Sequence, residues 1–275
     1  MQSRADLHSH SQASDGVLEP SKLVAFAASR GVATLAITDH DTMSGLREGR
    51  EAASKAGIRF VDGVEISCLQ GAREVHILGL FIDPEDAGLS SLLEASRKAR
   101  ETSTSKVLER LAGLGIQVRL EEVLRFASGE TVGRAHIARA LVALGHAGSI
   151  ANAFDKYLGE DRPARVYRER PSVAEACDAI RGACGVSSLA HPGGKPGLVS
   201  QESVARMKDL GLDAIEAFHP SHDERTRARL LRWASSIGLG VSGGSDYHGT
   251  QEGALPGSCY VDEELLSSLE ELRRR

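Results

Sequence analysis

Seven short apolar runs recur along this 275-residue chain, at residues 5–8, 34–38, 60–66, 75–81, 186–190, 213–218 and 240–245. Most are separated by stretches with helical periodicity. PSKLVAFAASRG places Pro20 at a helix start and Gly31 at its end, and SGLREGREAASKAG closes on Gly57. Strand and helix in alternation predict a parallel sheet covered by helices, and seven such units predict a closed or nearly closed barrel. The expected fold class is therefore α/β, in one compact body long enough to bury a sizeable core.

The alternation stops between about residues 83 and 171. That stretch reads as helices alone, at 88–114, 120–127, 134–144 and 150–158, with apolar positions such as Leu89, Leu92, Leu93, Leu108 and Leu111. Pro84, Pro163 and Pro171 mark its edges. It is expected to be a helical subdomain, 83–171, inserted into a barrel formed by 1–82 and 172–275.

Composition narrows the function classes. A formal net charge of −5 argues against duplex DNA as the main partner, and an aromatic content of 4% leaves little for base-stacking platforms. Cys68, Cys177, Cys184 and Cys259 form no CxxC pair, and Cys177 and Cys184 are expected two turns apart on one helix, too far for a disulfide. A reduced, cytoplasmic protein is expected. No apolar run approaches the roughly 18 residues of a membrane span, and no leader pattern opens the chain. Nothing signals an obligate protein partner.

The polar residues are more informative. In ADLHSHSQASDG, His8 and His10 stand at i and i+2, so on a strand their imidazoles converge, as metal ligands do. Asp15 follows in the next loop and His40 in AITDHDT; Glu65 ends the third run and His76 stands early in the fourth. After the insertion come His191 in LAHPGG, then Asp246 and His248 in SGGSDYHG. Nearly all fall at carboxyl ends of predicted strands, which share one face in a βα barrel and build its active site. Six of the ten histidines and three carboxylates thus gather in one place.

The ordered set DLHSHS…SDG, ITDHDT, GVEIS, VHILGL, AHPGG and GSDYHG resembles the polymerase and histidinol phosphatase (PHP) family of metal-dependent phosphoesterases over nearly the whole chain. The resemblance implies a distorted seven-stranded (β/α)7 barrel holding two or three divalent ions. It implies one ion on His8, His10, Glu65 and Asp246, a second on Glu65, His76 and His191 with Glu65 bridging, and a third on Asp15, His40 and His248. Three such ions exceed the charge of these three carboxylates by about three, since neutral imidazoles add none. That excess suits a phosphate ester better than an amide. Paired ions would supply a water of lowered pKa and clamp the non-bridging oxygens. The mixed nitrogen and oxygen set suits manganese, iron or zinc better than magnesium or calcium, manganese being expected.

Specificity is expected from the insertion. Arg97 and Arg100 lie three residues apart in SRKARETS, and Arg134 heads the next helix pattern in TVGRAHIARAL. Guanidinium forks suit a second phosphate. Their placement resembles that of PHP members that remove a phosphate from nucleoside 3′,5′-bisphosphates such as pAp, and related members also trim short 5′-phosphorylated RNA from its 5′ end. Lys195 is a further candidate for substrate contact. The catalytic side chains are expected to be Asp15 and His222, with His219 competing for the role of proton donor to the leaving alkoxide. Glu216 reads as a carboxylate that supports a ligand, and His136 and His146 as packing or surface residues. The alternatives are another phosphomonoesterase, such as one acting on histidinol phosphate, and a non-catalytic polymerase-associated module.

Overall fold

The computed structural model describes residues 4–71, 73–127, 132–193, 199–249 and 254–274. Seven strands form one sheet in sequence order: β1 (Ala5–Asp6), β2 (Thr34–Ile37), β3 (Arg59–Gln70), β4 (Arg73–Leu80), β5 (Val186–Leu189), β6 (Ala214–Phe218) and β7 (Gly240–Gly243). The segment after β1 then bonds to the segment after β7. Leu7 N–H donates to the Gly243 carbonyl at 3.1 Å, Asp246 N–H to His8 at 2.8 Å, and His10 N–H to Tyr247 at 2.9 Å. The barrel is nearly closed along this seam.

One strand runs against expectation. β4 pairs antiparallel with both β3 and β5, whereas β1–β2–β3 and β5–β6–β7 are parallel. The cause is connection length: β3 runs on to Gln70, and Gly71, at φ 61°, turns the chain into β4. A turn this short joins only antiparallel neighbours, because a parallel return requires a crossover of a dozen residues or more. The reversal puts His76, early on β4, beside Ser67 of β3 and at the same end as the carboxyl ends of the parallel strands.

Period-two alternation divides each strand between two cores. Leu35 and Ile37 of β2, Val64, Ile66 and Cys68 of β3 and Ile77 of β4 face the helices α1 (Pro20–Ser29), α2 (Leu46–Ala56) and α7 (Val173–Gly182). Ala36, Val61, Leu78 and Leu80 join Ala5, Leu7, Val186 and Ala214 in a separate inner cluster, closed off by Leu266 and Leu269 of the last helix (Glu263–Glu271). Cys184 lies beyond the end of α7, not on it, and all four cysteines are free.

Between β4 and α7 lie α3 (Ala87–Gly113), α4 (Leu120–Leu124), α5 (Arg134–Ala143) and α6 (Ile150–Ala153), the last continued by one π-helical turn at Phe154–Leu158. Leu89 and Leu93 of α3 pack on the barrel, whereas Val107 and Leu111, further along it, join Val123, Ile137 and Leu141 in a third core. A single long helix therefore carries the insertion out from the barrel wall.

The closing seam leaves no room at Gly244: a Cβ there would stand 2.3 Å from the His8 nitrogen and 2.4 Å from its Cβ. Gly244→Ala is expected to lower the free energy of unfolding by about 1–3 kcal/mol through overpacking. Gly182→Ala, at a helical position with nothing within 4 Å of a Cβ, should be neutral or stabilising. Denaturant unfolding of the two variants checks the contrast.

Candidate metal centre

Three buried aspartates build the loops that carry the site. Asp6 accepts the N–H groups of Ser245 and Gly257, both at 2.8 Å, and so ties the segment holding Asp246 and His248 to β1. Asp39 accepts from the Ser11 backbone at 2.8 Å and from the Ser11 and Ser14 hydroxyls at 2.6 Å, curling the loop that presents Asp15. Asp41 accepts the Ser67 N–H at 3.0 Å and locks the His40 loop onto β3.

The centre is organised around Glu65, a carboxylate 1% exposed in the barrel mouth. Its Oε2 lies 3.4 Å from His8 Nε2 and 3.2 Å from His10 Nε2, and Asp246 Oδ1 lies 3.1 and 3.2 Å from the same two nitrogens. The two nitrogens are 3.2 Å apart. Ligand atoms bonded to one ion at about 2.0–2.2 Å stand about 3–3.5 Å from each other, so this spacing fits a shared cation. Its other oxygen, Oε1, meets His76 Nδ1 at 2.8 Å and His191 Nε2 at 3.1 Å. The two oxygens of one carboxylate thus face different imidazole sets. A third group joins Asp15, His40 and His248 with the free side of His10; Asp15 Oδ1 is 3.3 Å from His248 Nε2 and 3.8 Å from His10 Nδ1. Glu65 Oε2 and His10 Nδ1 are buried and make no hydrogen bond, as expected of atoms whose partner is an ion.

Burial by itself would raise the Glu65 carboxyl, yet His40, His76 and His8 hold it well below its ordinary range. Asp246 is held down in the same way by His8 and His248. The supporting contacts orient the rings. Glu216 Oε1 bonds His8 Nδ1 at 3.0 Å, turning Nε2 to the cluster, while Glu216 Oε2 accepts the His191 N–H at 2.7 Å. His248 Nδ1 donates to the Asp246 carbonyl at 2.8 Å. Asp246 and His191 have left-handed backbone, φ 50° and 33°, a strain found where a side chain must be aimed.

A cavity of about 650 Å³ opens onto His76, His191 and Asp246. Arg134, Arg165 and Arg170 line another part of it, gathered on Glu74 of β4 at 3.3, 3.1 and 2.8 Å. Arg100 and Arg168 bond instead to Asp41, Arg168 at 3.3 Å; burial would raise that carboxyl, but the two guanidinium groups bring it down to about 2. Arg97 lines neither this cavity nor the two recesses that Arg100 lines, and Lys195 lies outside the described residues.

The two candidate proton donors exchange places. His222 is 3% exposed, with Nδ1 on the Ala217 carbonyl and Nε2 receiving the Gly193 N–H, both at 3.0 Å, so neither nitrogen is available to a substrate. His219 lines the cavity, its Nε2 3.2 Å from Asp246 Oδ2. Sequence reasoning also passed over Glu74 and Arg165, Arg168 and Arg170. The signal was the arginine density of RPARVYRER, next to the Pro171 edge.

Chelation of divalent ions is expected to lower the thermal midpoint, and readdition to restore it; an ion at a hundred times its Kd contributes about 2.7 kcal/mol. Glu65→Ala removes a ligand from two of the three sets. It should weaken this response and reduce the ion content measured by elemental analysis.

The model of the PHP domain matches residues 6–180. The chain is 36% identical over 250 residues to a 5′-3′ exoribonuclease of Haemophilus influenzae, covering 90% of this chain and 91% of that one. It is 35% identical over 253 residues to a 3′,5′-nucleoside bisphosphate phosphatase of Chromobacterium violaceum, covering 90% and 88%. A solved structure from Bifidobacterium adolescentis, described as a metal-dependent phosphoesterase, superposes with a TM-score of 0.91 at 33% identity, covering 98% and 96%. With this likeness and a histidine and carboxylate cluster spaced for cations, the chain belongs to the PHP-domain family of metal-dependent phosphoesterases.

Proposed function

We propose that the enzyme removes the 3′-phosphate of nucleoside 3′,5′-bisphosphates such as pAp, and trims short 5′-phosphorylated RNA from its 5′ end by the same chemistry. The observation that carries this reading is a pair of buried guanidinium groups. The side chains of Arg165 and Arg170 are 4% and 3% exposed, and the Nε–H of each makes no hydrogen bond. Donors in that state call for an anion, and the cavity they line also reaches the metal centre. A substrate with two phosphates has one for each place. The relatives named as a bisphosphate phosphatase and an exoribonuclease support the same substrate class.

His8, His10, Glu65, His76, His191 and Asp246 would hold two ions, and Asp15, His40 and His248 a third, with manganese, iron or zinc suited to the donors. When bound, the ions supply a water of lowered pKa and offset the charge on the non-bridging oxygens. Glu216 keeps His8 and the His191 backbone aimed. His219 is the proton donor to the leaving alkoxide, carrying the proton at Nε2 beside Asp246. Glu74 holds Arg134, Arg165 and Arg170 together to receive the second phosphate. In this reading residues 83–171 form the specificity subdomain, and the barrel formed by 1–82 and 172–275 carries the chemistry. We assign the enzyme to the cytoplasm on its unpaired cysteines; no helix among the described residues is long and apolar enough to cross a membrane.

Phosphate release from pAp, AMP and histidinol phosphate, compared under identical conditions with a 5′-phosphorylated RNA trinucleotide, tests the substrate. Strong preference for pAp or the RNA is expected; preference for histidinol phosphate would discard the nucleotide reading. Arg134→Ala should raise KM on pAp about tenfold or more with little change on AMP. Equal effects on both would remove the arginine assignment. His8→Ala and Asp246→Ala should abolish turnover, and His219→Ala should lower kcat about 10²–10⁴-fold. A steady-state comparison with unchanged kcat in His219→Ala would return the acid to another group.

A further inference from the structure

His136 stands in the first turn of α5 and is 2% exposed. Its Nδ1 accepts the Gly133 N–H at 3.1 Å, satisfying a backbone donor at the start of the helix. A neutral imidazole has one donor and one acceptor nitrogen, so this bond places the proton on Nε2. Burial lowers the ring's pKa to about 4, which keeps it neutral near pH 7. Nε2 is itself buried and completes no hydrogen bond; the Ser14 backbone faces it without reaching bonding geometry.

His136 borders a recess of about 150 Å³ whose other walls include Asp15, His40, His76 and Arg100. The Arg100 Nε–H is a second buried donor with no acceptor. Arg100 comes from α3, its guanidinium held by Asp41, and His136 from α5, so two separate elements bring residues with an unmatched donor to one recess beside the metal centre. A group offering several acceptor oxygens and negative charge would satisfy both.

We propose that His136 is a substrate-binding residue whose Nε2–H, together with the Nε–H of Arg100, donates to oxygens of the phosphoryl group held at the metal centre. The proposal deepens the phosphoesterase reading of that centre, on which it rests, and is independent of how the second phosphate is bound.

Two substitutions separate this role from helix capping. In His136→Asn the amide oxygen can take the place of Nδ1 and keep the cap, while the Nε2 donor is lost. In His136→Gln the amide nitrogen can take the place of Nε2, while the cap is lost. For the metal-loaded enzyme, His136→Asn is expected to keep the thermal midpoint and to weaken inhibition by inorganic phosphate about tenfold. His136→Gln is expected to lose thermal stability and retain phosphate affinity. Wild-type phosphate affinity in His136→Asn overturns the proposal. Should His136→Asn fail to fold, the imidazole resonances of the wild-type zinc-loaded enzyme decide. Inorganic phosphate is expected to shift the His136 Nε2–H signal, and an unmoved signal overturns the proposal. If the wild type shows no preference for pAp over AMP, the bisphosphate reading falls, while the phosphate titration still judges His136.

Discussion

The charge of Glu65 is the constraint from which the rest of the site follows. A carboxylate with 1% exposure in a barrel mouth is costly unless cations surround it. Here five histidines approach it: His8, His10 and His40 at one oxygen, His76 and His191 at the other. Those rings come from four separate stretches of chain, so the carboxylate can be compensated only when the barrel is formed. Divalent ions among the rings would complete the compensation, which links metal binding to folding.

The same device recurs one layer out. Asp41 follows the candidate ligand His40, and Glu74 precedes the candidate ligand His76 by two residues. Each is a carboxylate of the barrel held by arginines of the insertion: Asp41 by Arg100 and Arg168, Glu74 by Arg134, Arg165 and Arg170. The arginines that line the cavities are therefore fastened to residues beside the candidate ligands. The hydrophobic contacts of α3 set the insertion on the barrel, and these ion pairs orient what it presents.

Where sequence reasoning and structure part, local pattern is the reason. Periodicity marks where a strand lies and which side chains share a face, so seven strands and the convergence of His8 with His10 were legible. It carries no direction. The reversal of β4 was hidden in the shortness of SCLQGARE between two apolar runs, too few residues for a crossover helix. The arginines went partly unread because helical spacing favoured Arg97 with Arg100, whereas Arg165, Arg168 and Arg170 lie in a segment without helix or strand, whose course depends on what it crosses. His219, His222 and His136 differ in which ring nitrogens are already bonded, and those partners are backbone groups that residue identity does not encode.

What the sequence by itself determined is the chemistry on offer: histidines and carboxylates grouped after apolar strands, an arginine-bearing helical insertion, and the motif order of a phosphoesterase family. Such properties are written in residue type and short-range spacing, which survive without coordinates. Only the tertiary structure decided which oxygen of Glu65 meets which imidazole, which histidine faces the cavity, and which guanidinium groups pair with Asp41 and which with Glu74. Those outcomes depend on angstrom-scale distances between segments more than two hundred residues apart, such as His8 and Glu216, and hydrogen bonds form or fail over distances that small.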